Sequence, residues 1–489
     1  MPTPRLSEII KAYDVRGLVP EQLSPTVARA IGRAFADIVA RPDGAGSVVL
    51  GHDMRASSPE LTAAFARGVT SRGLDVTVIG LCSTDGLYYA SGVLGRPGAM
   101  FTASHNPAAY NGIKLCRSGA RPVGQDTGLV AIRERAQALL DGELAGEPGE
   151  EPAERTGEVR EQDLLAPYAT YLRSLVDLSG SRPLRVVVDA GNGMGGFTVP
   201  AVLGTAAGLD PLPVQVVPLY FELDGTFPHH EANPLDPANL RDLQAAVVAH
   251  GADLGLAFDG DADRCFVVDE RGEPVSPSAV TALVAQREIA REVAGGTPAA
   301  EVRVVHNVIS SEAVPEVVRE SGAVPVRTRV GHSFIKAEMA RHGAVFGGEH
   351  SAHYYFRDFW FADSGMLAAL HVLAALGESD GPLSALTTAY ERYDASGEIN
   401  STVTDSGGCT AAVRAWAVEQ GCRLDDLDGL TATYPGSARR PWWRVNVRPS
   451  NTEPLLRLNV EARGHATMEW AREQALGIIR STSTEGTPR

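Results

Sequence analysis

The chain has 489 residues, 44% hydrophobic and 21% charged, with 44 Lys plus Arg against 60 Asp plus Glu. At about 150 residues per domain this length implies three or four separate cores, and the composition excludes wholesale disorder. A formal net charge of −16 lacks the basic footprint that a nucleic-acid backbone requires, so nucleic acid is not expected as a partner.

The opening residues carry no charged-then-apolar signal pattern, and the most apolar run, at 366–376, is too short to span a bilayer. The five cysteines, Cys82, Cys116, Cys265, Cys409 and Cys422, are scattered without CxxC spacing, which argues against a disulfide frame or a zinc site. The expectation is a cytoplasmic protein, monomeric or homodimeric, that does not engage membranes.

In chain order, KAYDVRG (11–17) sets Tyr13 and Arg16 in a Gly-ended turn. A helical pattern over 25–40 and a strand-like run SVVLGHDMR (47–55) follow. The segment 98–115 places Ser104 and His105 just past an apolar strand, between an Asn106-Pro107 and an Asn111-Gly112 turn, with Lys114 close behind. A serine hydroxyl needs an activating partner, and Lys114 or His105 can supply cationic or basic help from within the loop. Residues 139–159, rich in Gly, Pro and Glu, read as a linker.

Further strand-then-loop runs appear at 185–193, 253–264 and 302–311, interleaved with helical patterns at 238–250 and 311–322; this is the signature of repeated βα units. The sharpest feature is Asp259, Asp261 and Asp263 after the run LGLAF. Strand alternation would point all three carboxylates to one side, where an oxygen-loving divalent cation such as Mg²⁺ relieves their repulsion. An EF-hand loop is excluded, because Arg264 sits where Gly is required. Arg264 suits instead an anion that bridges metal and guanidinium.

GHSF (331–334) contributes His332, and FGGEHSAHYYF (346–356) contributes Glu349, Ser351 and His353, acceptors and donors suited to a polyol. A second composition change at 377–398 precedes RPSNTEPLLRLNVEA (448–462), whose Arg448, Ser450, Asn451 and Thr452 form a donor-only cradle for a phosphate dianion. The tail 481–489 reads as disordered.

Taken together, TASHNP with NGIK, DGDADR, GEHSAH and RPSNTEP resemble, in this order, the phosphoserine, metal, sugar and phosphate loops of the α-D-phosphohexomutase family. DGTFPHHEANPLDPANL (224–240) is similar to a family segment before the metal loop. The resemblance implies a four-domain, heart-shaped protein, three related α/β domains plus a smaller α+β C-terminal domain around a central cleft. The boundaries expected are 1–150, 151–258, 259–380, beginning with the metal loop, and 381–489.

It also implies a phosphomannomutase that interconverts mannose 6-phosphate and mannose 1-phosphate through a phosphoserine and a hexose 1,6-bisphosphate, also acting on glucose phosphates. Phosphoglucomutase or phosphoglucosamine mutase activity is the alternative, and a metal-dependent sugar phosphatase the alternative of another class. The implied catalytic residues are Ser104, Lys114, Arg16, Arg264 and His353. The metal ligands would be Ser104 with the three aspartates; the hexose phosphate would meet Tyr13, His105, His332, Glu349, Ser351, His353, Arg448, Ser450, Asn451 and Thr452. The cofactor implied is Mg²⁺, with a sugar 1,6-bisphosphate as activator.

Three departures stand out: Ala262 and Ala352 replace common glycines, read as changes that leave the chemistry intact, and Ile309 stands where many bacterial members carry Lys. His350, where phosphoglucosamine mutases tend to carry Gln, makes amino-sugar specificity the weaker alternative.

Overall fold

The computed structural model describes residues 5–11, 13–142, 155–438, 440–450 and 455–484. The β-branched runs form the strands Ser47–His52, Leu184–Asp189, Leu254–Phe258 and Arg303–Asn307. Their mostly buried residues identify strands covered on both faces, which is why the sequence shows continuous apolar runs rather than alternation. The intervening patterns form the helices Pro25–Phe35, Arg241–His250 and Ala313–Glu320. Among the described residues no helix is long and apolar enough to cross a membrane, and none of the five cysteines is in a disulfide.

Two compact units divide the chain: residues 1–275 with 351–386, and residues 276–350 with 387–489. The first holds two sheets and a short hairpin, Tyr354–Phe356 with Ala362–Asp363. In its seven-stranded sheet the order is Val15–Leu18, Tyr110–Arg117, Gly98–Phe101, Ser47–His52, Asp75–Leu81 and Val159–Glu161, with Arg121–Pro122 attached to Tyr110–Arg117. Gly98–Phe101 and Tyr110–Arg117 are antiparallel neighbours, so the Ser104 loop is the connection of a hairpin.

The second sheet runs Pro274–Val275, Cys265–Asp269, Leu254–Phe258, Leu184–Asp189 and Val214–Leu219. Here the aspartate loop joins Leu254–Phe258 to its antiparallel neighbour, with Phe258 opposite Cys265. The boundary expected between 258 and 259 is therefore corrected, since it would cut a paired hairpin.

The second unit contains the parallel strands Val324–Thr328, Arg303–Asn307 and Phe346–Gly348. It also holds a five-stranded antiparallel sheet ordered Asp394–Thr402, Leu455–Ala462, Trp443–Pro449, Leu430–Tyr434 and Arg423–Asp425. Along Trp443–Pro449 the alternation is strict: Trp443, Val445 and Val447 enter the core with Leu458 and Ala471, while Arg444, Asn446 and Arg448 face the other way.

Two expectations about chain ends need correction. A linker is expected from 139, but the helix Leu129–Asp141 continues to a left-handed Gly142, because Leu139 and Leu140 still pack on the core. A disordered tail is expected from 481, yet His465–Thr484 is helical. Residues 143–154 and 485–489 lie outside the described ones.

One buried carboxylate ties three segments of the first unit together. Asp85, in the first turn of Thr84–Leu94, accepts hydroxyls from Ser83, from Tyr168 at 2.8 Å and from Ser364 at 2.6 Å. Burial pushes its carboxyl up to about 6 against the pull of those hydroxyls. A folded-state value above the unfolded one, near 4, means the folded chain binds this proton more tightly. The stability it contributes is complete below about pH 4 and is lost as pH rises to about 6. Asp85→Asn should thus gain on the native chain by roughly 2 to 3 kcal/mol between pH 4 and pH 7. Urea midpoints of the two proteins at both pH values test this, and parallel pH courses would contradict it.

Candidate active site

The aspartate loop is a tight turn rather than a strand. Asp259 follows the strand Leu254–Phe258, Ala262 adopts a left-handed φ of +58°, and the chain turns back at Arg264. The turn brings one carboxylate oxygen of Asp259, Asp261 and Asp263 within 4.8 Å of one another, all three residues buried. Ser104, itself left-handed at φ +49°, directs its hydroxyl to Asp259 Oδ2 at 2.7 Å. A close approach makes this possible: a Cβ on Gly260 would lie 2.4 Å from the Ser104 carbonyl oxygen.

Cations surround the carboxylates. Lys114 Nζ lies 2.6 Å from Asp261 and 2.5 Å from Asp263, and Arg264 donates to Asp259 from Nε at 2.9 Å and from a terminal nitrogen at 2.8 Å. The same terminal nitrogen reaches His105 Nδ1 at 2.6 Å, and that ring nitrogen lies 3.2 Å from Ser104 Oγ. Arg16 bonds Asp14 at 2.8 Å, the Ala103 carbonyl at 2.9 Å and the Asn106 side chain. Ser104, His105, Arg264 and Asp259 thus form one hydrogen-bonded group and Lys114 with Asp261 and Asp263 a second, while Arg16 bonds the Ser104 loop at the Ala103 carbonyl and Asn106. Tyr13 lies half-buried beside it in sequence, in the bend before Val15–Leu18.

The charge states follow from burial and neighbours. Burial raises the Asp261 carboxyl, but the Lys114 ammonium and the Thr84 hydroxyl outweigh it and hold Asp261 below the usual carboxylate range. Burial pushes Asp259 up to about 7 against the pull of Arg264. His105 is pushed down by burial and by Arg264 and Arg16, so its ring is neutral and accepts the Arg264 N–H.

The donor set fits a hard cation. It is all oxygen, and Asp261 Oδ1 and Asp263 Oδ1 are buried without a hydrogen-bond partner, which leaves their lone pairs for a metal ion.

His353 also joins the cluster: its Nε2 is 4.0 Å from Asp263 Oδ1, its Nδ1 is 3.0 Å from Ser351 Oγ, and it bridges Arg264 through the backbone. Ala352 between them is left-handed at φ +65°. Two neighbours escape a reading of the sequence. Thr84 donates to Asp261 at 2.5 Å, and Asp363 lies with Asp263 and His353 within 4.8 Å. Only an acid or hydroxyl at a strand or helix end marks them in the sequence, which is too common a pattern to single them out.

In the second unit, Glu349 is buried and accepts from Asn307 Nδ2 at 3.0 Å and from the Gly331 N–H at 3.2 Å. Gly331 precedes His332, the first residue of the helix His332–His342. Ile309 donates its N–H to Asn307 Oδ1 at 3.2 Å.

Arg448, in the strand Trp443–Pro449, bonds Glu398 at 2.8 Å, and Arg457 shares that carboxylate at 3.0 Å. The expected donor-only cradle is corrected here: a carboxylate stands beside its arginine, although Arg448 Nε has no partner. Ser450 donates its N–H to the Leu455 carbonyl at 2.8 Å, while Asn451 and Thr452 lie outside the described residues.

Four family descriptions match the chain in succession: phosphoglucomutase/phosphomannomutase alpha/beta/alpha domain I at residues 7–140, domain II at 166–272, domain III at 276–393, and the C-terminal domain at 398–476. This chain belongs to the phosphoglucomutase/phosphomannomutase family. Membership makes it a mutase built of three α/β/α domains and a C-terminal one. A protein of Xanthomonas campestris pv. campestris described as phosphohexose mutases is 42% identical over 471 residues, 96% of this chain and 98% of its own. A phosphomannomutase of Salmonella montevideo is 38% identical over 476 residues, again 96% and 98%. A family protein of Burkholderia thailandensis has a solved structure with TM-score 0.84 and 29% identity, covering 99% of both chains. The aspartate loop of this mutase falls inside the domain II match, in keeping with the sheet that carries it.

Proposed function

We propose that this mutase interconverts mannose 6-phosphate and mannose 1-phosphate, and acts on glucose phosphates as well. The observation that carries the reading is the Ser104 hydroxyl set 2.7 Å from Asp259, inside a cluster of three carboxylates and the cations Lys114, Arg264 and Arg16. The names of the relatives support both halves, phosphomannomutase for the mannose substrate and phosphohexose mutases for the wider range.

Ser104 carries the phosphoryl group. In the first half-reaction the bond from phosphorus to Ser104 Oγ breaks as a bond to the free substrate hydroxyl forms, and the product is a hexose 1,6-bisphosphate. His353 Nε2 takes the proton of the attacking hydroxyl. Lys114 is held in its charged form by two aspartates, so its part is to neutralise phosphoryl charge rather than to accept a proton. Arg264 and Arg16 add guanidinium charge on the same oxygens.

In the second half-reaction Ser104 Oγ, left unprotonated by the first, attacks the other phosphate of the turned bisphosphate, the bond from that phosphorus to the sugar oxygen breaks, and the sugar oxygen takes the proton held on His353. Arg448 and Ser450, with Asn451 and Thr452, grip the distal phosphate, while Tyr13, His332, Glu349 and Ser351 receive the sugar. Asp259, Asp261, Asp263 and the modified Ser104 would hold Mg²⁺, which would supply electrostatic stabilisation of the transferring group. A hexose 1,6-bisphosphate primes Ser104 when it is bare. Five cysteines that form no disulfide support a reducing, cytoplasmic setting.

The test is product analysis with mannose 1-phosphate and glucose 1-phosphate, each with Mg²⁺ and a trace of bisphosphate. The 6-phosphates should form from both, with kcat/KM higher for mannose. Release of free sugar and inorganic phosphate instead would mean a phosphatase.

A further inference from the structure

Arg55 belongs to none of the loops that singled out Ser104 and the aspartates, yet it is only 2% exposed and lies directly beneath the Ser104 loop. A guanidinium has five N–H donors in a fixed fork, and here all five are used. Nε donates to Asp53 at 3.2 Å. One terminal nitrogen donates to the carbonyls of Pro107 and Tyr110, both at 2.9 Å, and the other to those of Ser104 at 3.0 Å and Asn106 at 2.6 Å. The Ser104 and Asn106 carbonyls lie in a turn that offers them no helix or sheet partner, and leaving the buried Ser104 carbonyl unpaired is costly.

The arginine is itself held. Asp53 also accepts the Arg55 N–H at 3.0 Å and the Ser58 hydroxyl at 2.6 Å. From the other side, the Phe227 ring covers the guanidinium at 5.1 Å, and a Cβ on Gly225 would lie 2.8 Å from Arg55 Cα. The segment 224–240 thereby helps to hold Arg55 in place.

A serine in the left-handed region persists only where its surroundings over-determine it. For Ser104 those surroundings are Arg55 on its carbonyl and Thr102 Oγ1 on its N–H at 2.9 Å. We propose that Asp53, Arg55 and Phe227 form a clamp that sets the nucleophile loop in register with the aspartates, Arg55 being the positioning residue. The proposal rests on Ser104 being the phosphoryl carrier. Lysine would keep the charge but offers three donors from one point, so it cannot span four carbonyls.

The experiment compares Arg55→Ala and Arg55→Lys with the native full chain. It measures kcat and KM for mannose 1-phosphate with bisphosphate activator, Mg²⁺ affinity, and Ser104 phosphate by intact mass. Arg55→Ala should lose about a hundredfold in kcat, the cost of misplacing a reacting group by an ångström, with KM and Mg²⁺ affinity within about threefold of native. Low-millimolar guanidinium chloride should restore several-fold activity to Arg55→Ala, whereas NaCl at equal ionic strength should not. If Arg55→Ala does not fold, Arg55→Lys decides, with at least about a tenfold loss in kcat at unchanged KM expected. Native-like kcat in the folded variant, or a loss that falls on KM and Mg²⁺ affinity alike without guanidinium rescue, would overturn the clamp. A native chain that takes up no phosphate on Ser104 would instead overturn the carrier reading.

Discussion

Ser104→Ala should leave a folded protein whose mutase turnover is more than about a thousandfold below native, since no other group can take over as the covalent carrier. The fold should survive because the loop is fixed through its backbone: the residue 104 N–H still meets Thr102 Oγ1 and its carbonyl still meets Arg55. Asp259 loses one donor but keeps three from Arg264, so the deletion does not strand a bare buried charge. Mannose 6-phosphate formation and the mass of the peptide containing residue 104, after incubation with bisphosphate, are the measurements. Near-native turnover, or phosphate still gained by that peptide, would rule out the covalent role.

Asp261→Asn should abolish most of the stabilisation that Mg²⁺ gives the native protein. Two unit charges about 4 Å apart interact by roughly 4 kcal/mol at an effective dielectric of 20, and a dication by about twice that, which after the ion's own hydration is offset still predicts at least a hundredfold weaker affinity. The apoprotein itself should tolerate the change. Lys114 retains Asp263 at 2.5 Å, an amide oxygen can still accept from Thr84, and one of three crowded carboxylates is neutralised. At a concentration 100 times the native dissociation constant, the metal stabilises by about 2.7 kcal/mol; the variant should show only a small fraction of that. Thermal unfolding with Mg²⁺ and with EDTA measures it, and an unchanged metal-induced shift would remove Asp261 from the ligand set.

Much of the architecture is legible in the sequence because a continuous β-branched run that ends in a polar loop suits a strand covered on both faces and little else. The aspartates are legible for a different reason than the one that unites them. Strand alternation would aim them together, but residues 259–263 form a turn, with Ala262 left-handed, and it is the turn that converges the carboxylates. The same backbone bears on the two departures at former glycines. Ala262 and Ala352 both adopt positive φ, where a Cβ costs about 1 to 2 kcal/mol, so these replacements are not neutral for the loops that carry them.

What stays hidden in the sequence is everything held by long-range pairing. Asp53 and Arg55 read as the polar end of a strand, because the partners that saturate Arg55 lie about fifty residues away. Glu398 beside Arg448 arises from the pairing of two strands with the Arg448 strand's neighbour, which no local pattern reveals. The expected boundary at 258 fails in the same way, since a loop and a break between domains look alike until strand register joins the flanking runs.

Because Arg55 holds the Ser104 loop by four backbone carbonyls, that hold does not depend on which side chains stand at the loop's exposed crest. Ala108 and Ala109 are exposed there. Substituents placed at those two positions can therefore change what the loop shows to solvent while the hydrogen bonds from Arg55 to its backbone stay in place.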